Sequence, residues 1–496
     1  MKNVLKCKLH VLLFILVVFS IFLLLSFSAS ADDVSMLEIG TVVNARMKSL
    51  AANAEKNYEE ETGDIKAIHM AEFLPDNFVP SEANTVSAPD SGYPIYIFFD
   101  NKEDAGILYF YTESNTIAMN PDSSYMFFNH AALTDLSGLA GWDSSNVVTL
   151  QGAFMRDSSL SDLAPLFNWN TCSLEIAAML FSYDSALTDI SALAGWDTSH
   201  VTDMFALFGG AKSIKDVLAL RNWDTSNVTD MSFMFSGCTS MLFADVSSWN
   251  TSKVTTMASM FQVGDSWKGN GQLIEIIGLG DLDVSNVADM TCMFYGAGQM
   301  TAYDIARWDV SKVESMNHMF CDNFKLRSLD LSKWDVSSLK TIYDMFDDNI
   351  SLKTIGDVSH WNTVNLIDAG GWLNEAKSFV GDNYGVLDLS GWDTSNLKSA
   401  GEMFLNTKIH TIDLSGWTFD SITNDLWEGA GRGIYYETGN DLETMKGLGS
   451  MFFQTFQLDT IYISQSGLDS YNEAVNNGVN TLDMWTKCKA GGFTVK

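Results

Sequence analysis

A repeat of about 26 residues runs through most of this 496-residue chain and constrains its fold more than any other feature. The most regular position of the repeat is a tryptophan, and Leu282 takes its place in one repeat. The tryptophans are Trp142, Trp169, Trp196, Trp223, Trp249, Trp308, Trp334, Trp361, Trp392 and Trp417. Twelve residues later, nine of the eleven repeats have a phenylalanine, namely Phe154, Phe181, Phe208, Phe235, Phe261, Phe294, Phe320, Phe346 and Phe404. Only the repeats of Trp361 and Trp417 lack it, so the pattern predicts one structural unit used eleven times.

The spacing of apolar residues within one repeat predicts how the unit folds. Leu326, Leu329 and Leu331 have the L-x-x-L-x-L spacing of a leucine-rich-repeat strand, with alternate side chains pointing inward. One unit cannot bury its leucines, tryptophan and phenylalanine alone, so neighbouring units must stack. The sequence therefore predicts a repeat solenoid of leucine-rich-repeat-like coils, α/β or mainly β. A parallel β-sheet would join the coils, with short β, 3₁₀ or helical segments on the other face.

One repeat also carries a family resemblance. Residues 223–238 read WDTSNVTDMSFMFSGC. This stretch resembles the W-D-T-S-N-V-x-x-M-x-x-M-F unit of BspA-like leucine-rich-repeat surface proteins, and the similarity extends over about residues 90–496. The resemblance implies an exported protein with a surface for adhesion to host proteins, cells or other microbes. It implies no catalytic chemistry.

The first 31 residues have the anatomy of a secretory signal. Three lysines precede a predominantly apolar stretch from residue 11 to residue 27, and Ala29-x-Ala31 offers a cleavage site. The stretch approaches the minimum length of a transmembrane helix, so a retained N-terminal anchor is the alternative. We therefore expect residues 1–31 to be a signal peptide and the protein to be secreted or held at the cell surface.

Two further segments precede the regular repeats. Residues 32–90 contain a helix-compatible stretch followed by a Ser-, Pro- and Asn-rich one, which predicts a helical stalk and a linker. Within residues 91–130, Ile95–Phe99 and Ile107–Tyr111 flank a polar turn. This arrangement predicts a β-hairpin that, with a half-repeat, caps the first coil.

The regular array spans residues 131–425 and is followed by an insertion at residues 426–450, because the next Met-Phe pair lies unusually far after Trp417. Residues 451–496 are predicted to form the last coil and a C-terminal half-repeat cap. Insertions in solenoids become loops on one face, often the binding face. The candidate binding residues of this one are Trp427, Arg432, Tyr435 and Tyr436. The alternative is a loop that covers the terminal coil.

Charge and composition exclude several classes of partner. The chain has 62 acidic and 29 basic residues, a formal net charge of −33, and 46% apolar residues. The apolar content suffices for a large core and excludes wholesale disorder. A surface this acidic repels nucleic acids and anionic headgroups. We therefore expect protein or glycan ligands on host or microbial surfaces, no nucleic acid, and no membrane contact beyond an N-terminal anchor.

Two ladders of polar residues at repeated positions, one of Asp or Asn and one of Asp, could form a metal site or a catalytic site. An Asp or Asn follows most of the tryptophans, and a cap for the turn is the interpretation we favour, with a calcium site as the alternative. The second ladder is Asp135, Asp162, Asp189 and Asp216, and carboxylate pairs can hydrolyse glycosides. Repeated positions on a solenoid face are more typically solvated, so we expect no catalytic residue and no cofactor.

Three functional hypotheses follow. The first, which we favour, is a non-enzymatic exported repeat protein with an extended binding surface for adhesion. The second is an inert structural or spacer protein of the cell envelope. The third is a secreted hydrolase of glycans or peptides, and no nucleophile, zinc or phosphate-loop motif supports it.

Overall fold

The structure, a computed structural model, describes residues 34–99, 106–264, 270–381, 385–424 and 446–496. Consecutive repeats are stacked in parallel and in register. Equivalent residues are joined by bridges in the series Asp122, Thr149, Ile176, Asp203, Asp230, Thr256, Asp289, Ser315, Thr341, Asp368 and Ser399. Each step of this series advances by one repeat. The repeat-type architecture predicted from the sequence is therefore confirmed.

The N-terminal region closes one end of the array. Its elements are β1 (Ser35–Met36), α1 (Gly40–Ala52), β2 (Ala67–Met70), β3 (Tyr96–Phe99), β4 (Ile107–Tyr111) and β5 (Ile117–Ala118). Strands β3 and β4 form the antiparallel hairpin that the sequence predicted. Strand β2 pairs in parallel with the other edge of β4, and β1 pairs in parallel with β5.

The prediction of a helical stalk and linker at residues 32–90 is wrong for the described part of that segment. Helix α1 buries Val43 and Met47 in the same core as the repeats. The Asn44 side chain donates hydrogen bonds to the carbonyls of Tyr125, at 2.6 Å, and Phe128, at 3.1 Å. The first coil would otherwise expose apolar surface, and this segment covers it.

The predicted sheet between coils is interrupted. Its strands are β6 (Phe243–Asp245), β7 (Glu275–Ile277), β8 (Val386–Asp388), β9 (Thr411–Asp413), β10 (Thr460–Ile463) and β11 (Thr494–Val495). They form a two-stranded parallel sheet, β6-β7, and a four-stranded parallel sheet in the order β11-β10-β9-β8.

Short 3₁₀ helices replace the strand in the first four coils, whereas the described coils of Trp308, Trp334 and Trp361 have neither a strand nor a 3₁₀ helix at this position. The 3₁₀ helices span Glu82–Asn84 in the N-terminal region and then Ser137–Leu139, Ala164–Leu166, Ser191–Gly195, Leu218–Leu220 and Leu279–Asp281. Each of those in the first four coils follows an aspartate whose Oδ1 accepts the N–H two residues on. Such local hydrogen bonds compete with the ladder between strands. Strand β9 has its own aspartate at its end, where Oδ1 of Asp413 accepts the N–H of Ser415, and the β-branched Thr411 and Ile412 before it favour the extended conformation.

Two aromatic columns form the centre of the array. All ten repeat tryptophans are between 1% and 6% exposed, and all nine phenylalanines of the repeat are fully buried. Nine of the tryptophans donate their Nε1–H to a backbone carbonyl of the preceding repeat, at 2.9–3.3 Å. From Phe127 to Phe346 the phenylalanine rings are stacked with centroids 5.2–6.1 Å apart. These columns bury the residues that no single repeat could bury alone.

The repeat of Trp361 compensates for its missing phenylalanine. Leu373 occupies the phenylalanine position, and Trp372 occupies the position of Met345 in the preceding repeat. Accordingly, Phe346 donates its N–H to the carbonyl of Trp372, as Phe320 does to Met345. The ring of Trp372 lies 5.1 Å from that of Trp392. Leu373 is smaller than the phenylalanine of the other repeats, and the large Trp372 side chain fills the space that this difference leaves.

The C-terminal end continues the same packing. Phe452 stacks on Phe404 at 5.7 Å, and Trp485 stacks on Phe452 at 5.2 Å. Helix α2 (Gln465–Asn476) begins after Ser464, whose Oγ accepts the N–H of Gly467. Within the described ranges, no helix is both long enough and apolar enough to cross a bilayer.

Candidate binding groove

The residues predicted from the sequence fall into two groups. Trp427, Arg432, Tyr435 and Tyr436 lie outside the described residues. The repeat tryptophans and phenylalanines are buried in the core, where they cannot contact a partner. A binding surface in the described chain must therefore use other side chains.

The Asp and Asn residues after the tryptophans form turns. The side-chain oxygen of each accepts the backbone N–H two residues on, at 2.9–3.4 Å, in Asp143, Asn170, Asp197, Asp224, Asn250, Asp309, Asp335, Asn362 and Asp393. Hydrogen bonds from the Ser199 hydroxyl and N–H lower the pKa of the Asp197 carboxyl. This is the geometry of a turn cap. Across the described ranges, no group of three or more His, Cys, Asp or Glu residues could hold a metal ion.

The second ladder is also engaged locally. Asp135, Asp162, Asp189 and Asp216 each accept a backbone N–H at the start of a 3₁₀ helix. They repeat along the array at equivalent positions and do not face each other across a cleft. The structure therefore assigns both ladders a role in shaping turns.

A groove of about 560 Å³ crosses five consecutive repeats on the face formed by the turns around the phenylalanine column. It is lined by Met155, Arg156, Met179, Ser182, Tyr183, Phe205, Ala206, Gly209, Gly210, Lys212, Phe233, Ser236, Gly237, Gln262 and Gly264. Its volume lies within the range of about 300–1,000 Å³ typical of ligand pockets. We refer to this surface as the groove.

Glycines form the floor of the groove. Gly210 and Gly237 occupy the position held by Arg156 and Tyr183 in the two preceding repeats, and all four residues have φ between 66° and 77°. Glycine adopts this left-handed conformation without strain. A Cβ on Gly237 would lie only 3.4 Å from the Cα of Gly210, so the two backbones are in direct contact. The loss of two side chains leaves main chain at the base of the groove, which no side chain covers at Gly237.

Aromatic side chains stand above this floor. The ring of Tyr183 packs over Gly210, where a Cβ would meet its Cδ1 at 2.7 Å, and the side chain remains 54% exposed. The guanidinium of Arg156 lies 5.7 Å from the centre of that ring, within reach of a cation–π interaction. Phe233 is 38% exposed and contacts Phe205 edge to face at 5.7 Å. The groove thus presents aromatic surface at two points along the array.

The electrostatics of the groove contrast with the rest of the molecule. Its lining includes the basic residues Arg156 and Lys212 and no acidic residue, whereas the chain has 62 acidic residues against 29 basic ones. A ligand in the groove therefore meets positive charge at short range within a strongly negative protein.

The main chain of the groove is already engaged. The N–H groups of Tyr183, Gly210 and Gly237 donate to the carbonyls of Gly209, Ser236 and Gln262 in the next repeat, at 2.6–2.7 Å. These bonds hold the repeats together and leave the amides no capacity for a ligand. These three amides therefore cannot donate to a ligand, and exposed rings and polar side chains are the groups that favour recognition in the groove.

The groove cannot be predicted from the repeat pattern, because its residues occupy the variable positions of the repeat. The signal was present as aromatic residues outside the core positions, at Tyr183, Phe205 and Phe233, beside the Gly209-Gly210 pair. Nothing in the periodicity alone shows that these positions converge on one face.

Stacked repeats with several small parallel sheets define this chain as a repeat protein whose turns display side chains on a rigid core. It belongs to the family described as "Mycoplasma protein of unknown function, DUF285", whose model matches residues 113–216, 177–276, 269–386 and 356–427. No curated protein is similar enough to the chain to count as a relative.

Among solved structures, the chain is similar to one described as "Crystal structure of TLR13-ssRNA13 complex", at 12% identity and a TM-score of 0.16. The similarity covers 61% of this chain and 58% of that one. A similarity this weak supports no inference about architecture or ligand.

Proposed function

We propose that this chain is a non-enzymatic exported protein that binds a macromolecular partner through the groove. Its coils form a leucine-rich-repeat-like solenoid of the BspA-like type, and the protein functions in adhesion to host, matrix or microbial surfaces. The observation that carries the proposal is the exposure of Tyr183 and Phe233 above a glycine floor on a rigid array. Export rests on the signal-like residues 1–31.

Binding is favoured over an inert spacer by the cost of exposing aromatic side chains. Tyrosine, phenylalanine and arginine are enriched at recognition surfaces. An inert coil could place polar residues at the same positions, as other repeats do with Ser259 at the position of Phe233 and Asp322 at the position of Tyr183. The groove concentrates the aromatic residues in neighbouring repeats instead.

Binding is favoured over hydrolysis by the composition of the same surface. The lining contains no carboxylate, histidine or cysteine. Glycoside hydrolysis needs two carboxylates, and acyl transfer needs a nucleophile beside a base. Neither constellation is present among the groove residues.

The test is binding of residues 32–496 to glycan panels, extracellular-matrix proteins and bacterial cells. A Tyr183→Ala/Phe233→Ala variant should bind at least tenfold more weakly, with an unchanged melting temperature. The matched control is Phe167→Ala, because Phe167 is 59% exposed and lies beside Trp169, outside the groove lining. Equal losses in both variants, or no binding by the unmodified chain, would favour the spacer hypothesis.

The insertion at residues 426–450 remains a second candidate surface, proposed on its composition alone. Trp427, Arg432, Tyr435 and Tyr436 are of the types found at interface hot spots. Deletion of residues 426–446 distinguishes the two hypotheses for this insertion. A recognition loop predicts intact folding with lost binding, whereas a cover for the terminal coil predicts lowered stability.

A further inference from the structure

Resting on the proposed function, we infer that the groove binds a short oligosaccharide that carries one acidic sugar. Neutral pyranose rings lie on the floor at Gly237, against the exposed surfaces of Tyr183 and Phe233. The carboxylate of the acidic sugar pairs with Arg156. The ligand class follows from four properties of the groove: its engaged main chain, its ring faces, its polar side chains and its local charge.

The engaged main chain disfavours an extended peptide. Peptides that bind along a sheet are held mainly by main-chain hydrogen bonds. The amides of Tyr183, Gly210 and Gly237 already donate to the next repeat. A sugar needs no such bonds, because a pyranose presents a face of C–H groups that packs on an aromatic ring.

The ring faces are held in position before a ligand arrives. Tyr183 packs over Gly210 and beneath the guanidinium of Arg156, and Phe233 packs against Phe205. A ring that loses little conformational freedom on binding contributes more of its contact energy to affinity. Gly237 has no side chain and no side chain packs over it, so the floor at this residue admits a pyranose ring at close approach.

Polar side chains beside the floor have capacity for sugar hydroxyls. The Ser236 hydroxyl and the Gln262 amide are half-buried, and neither makes a hydrogen bond to another described side chain or backbone group. Together they offer donors and acceptors, as the alternating hydroxyls of a glycan require. The hydroxyl of Ser182 is not part of this set, because it donates to the carbonyl of Gly209 at 2.8 Å.

The charges of the groove and of the whole protein favour a ligand with one acidic group. Arg156 is exposed, and its planar fork matches a carboxylate with two parallel hydrogen bonds. The net charge of −33 repels a polyanion. At physiological ionic strength this repulsion is screened over about 8 Å, whereas the pairing of one carboxylate with Arg156 acts at contact. A ligand with a single acidic sugar therefore gains the pairing with little of the repulsion.

The length of the groove matches an oligosaccharide and not a single sugar. It crosses five repeats. Stacked chains lie roughly 4.8 Å apart, so the groove is on the order of 20 Å long.

The probes are 3′-sialyllactose, lactose as its neutral part, and polysialic acid as the polyanion, with affinities measured by calorimetry on residues 32–496. We expect sialyllactose to bind at least tenfold more tightly than lactose, and polysialic acid to bind more weakly than sialyllactose. Arg156→Gln should reduce sialyllactose affinity to that of lactose and leave lactose unchanged. Tyr183→Ala should weaken both sugars, whereas the exposed control Phe167→Ala should weaken neither.

Other outcomes overturn the inference and separate it from the proposed function. Binding to matrix proteins or cells without binding to these sugars would overturn the glycan ligand and leave the proposed function standing. Unchanged sialyllactose affinity in a folded Arg156→Gln variant would overturn the acidic-sugar site. Tighter binding of polysialic acid would overturn the single charge. Absence of binding to any protein, cell or glycan would overturn the proposed function itself.

Discussion

Asp157 and Asp184 occupy equivalent positions in consecutive repeats, and the backbone N–H of Asp157 donates to Oδ1 of Asp184 at 2.9 Å. One repeat earlier, His130 donates its N–H to Oδ1 of Asp157 at 2.8 Å. All three side chains are buried. Burial raises the pKa of both carboxyls well above the usual range, and the charge of Asp184 raises that of Asp157 further. The array therefore contains a buried acidic pair whose ionisation opposes folding.

This pair predicts a stability that depends on pH. The pKa of each carboxyl is higher in the folded than in the unfolded chain, where it is about 3.9. The resulting stability is fully present below about pH 3.9 and is lost as the pH rises through the folded-state pKa. Asp184→Asn retains an oxygen for the N–H of Asp157 and cannot ionise. We expect it to raise the free energy of unfolding at about pH 8 by roughly 1–3 kcal/mol, with much less effect at about pH 4.

Urea denaturation of both proteins between about pH 4 and pH 8 measures this difference. Burial lowers the pKa of His130, with the charge of Lys48 as a second cause, and its opposite pH dependence largely cancels between the two proteins. Burial also lowers the pKa of Lys48 to about 8, in both proteins alike. The exposed Asp162→Asn variant is the control. A pH-independent difference for Asp184→Asn would show that the pair is not protonated in the folded state.

The tryptophan column predicts a hydrogen-bond effect that can be isolated. Trp223 donates Nε1–H to the carbonyl of Leu193 at 3.0 Å, whereas the buried Nε1–H of Trp142 has no partner. Substitution by phenylalanine removes ring volume in both cases but removes a hydrogen bond only at Trp223. We expect Trp223→Phe to lower the free energy of unfolding by about 1–2 kcal/mol more than Trp142→Phe. Equal losses in chemical denaturation would mean that volume alone stabilises the column.

The phenylalanine column predicts that damage spreads to neighbouring repeats. Phe320 stacks between Phe294 at 5.5 Å and Phe346 at 5.4 Å, and all three are fully buried. Phe320→Ala should lower the free energy of unfolding by roughly 3–5 kcal/mol. Because each repeat is stable only through its neighbours, hydrogen exchange should accelerate in the repeats of Trp308 and Trp334. Protection that changes only within a few residues of position 320 would contradict this coupling.

The irregular repeat predicts a compensated pair of substitutions. Trp372→Met leaves a cavity and Leu373→Phe overfills the core, so each should lower the free energy of unfolding by about 2–4 kcal/mol. The double variant creates the Met-Phe pair that six of the other repeats have at these positions, and it should lose at least about 1 kcal/mol less than the sum of the two single losses. Additive losses in a double-mutant cycle would show that the two positions are packed independently.

The cysteines predict a sharp contrast in thiol reactivity. Cys172 is exposed, whereas Cys238 is buried and donates its thiol to the carbonyl of Phe208 at 3.2 Å. Burial raises the pKa of the Cys238 thiol to about 12, so almost no thiolate is present at neutral pH. We expect Cys172 to be labelled rapidly in the native protein and Cys238 only after unfolding, as measured by mass spectrometry. Equal labelling rates at Cys172 and Cys238 in the native protein would refute the assignment.

The sequence by itself determined the repeat, its two aromatic columns and its turn caps. Trp169 and Trp196 stack because identical positions of equal-length units coincide when the units lie in register. The cap made by Asp224 depends on atoms only two residues apart, so it too can be predicted locally. The hairpin of β3 and β4 followed for the same reason, from two apolar runs around one turn.

The tertiary structure alone decided which variable residues become neighbours. Arg156, Tyr183 and Phe233 lie in three different repeats, and only stacking brings them to one groove. The same holds for the Asp157–Asp184 pair and for helix α1, whose apolar residues had no core of their own and cover the first coil. In each case the arrangement depends on contacts between segments at least 25 residues apart. The periodic pattern of the sequence does not indicate which of these contacts form.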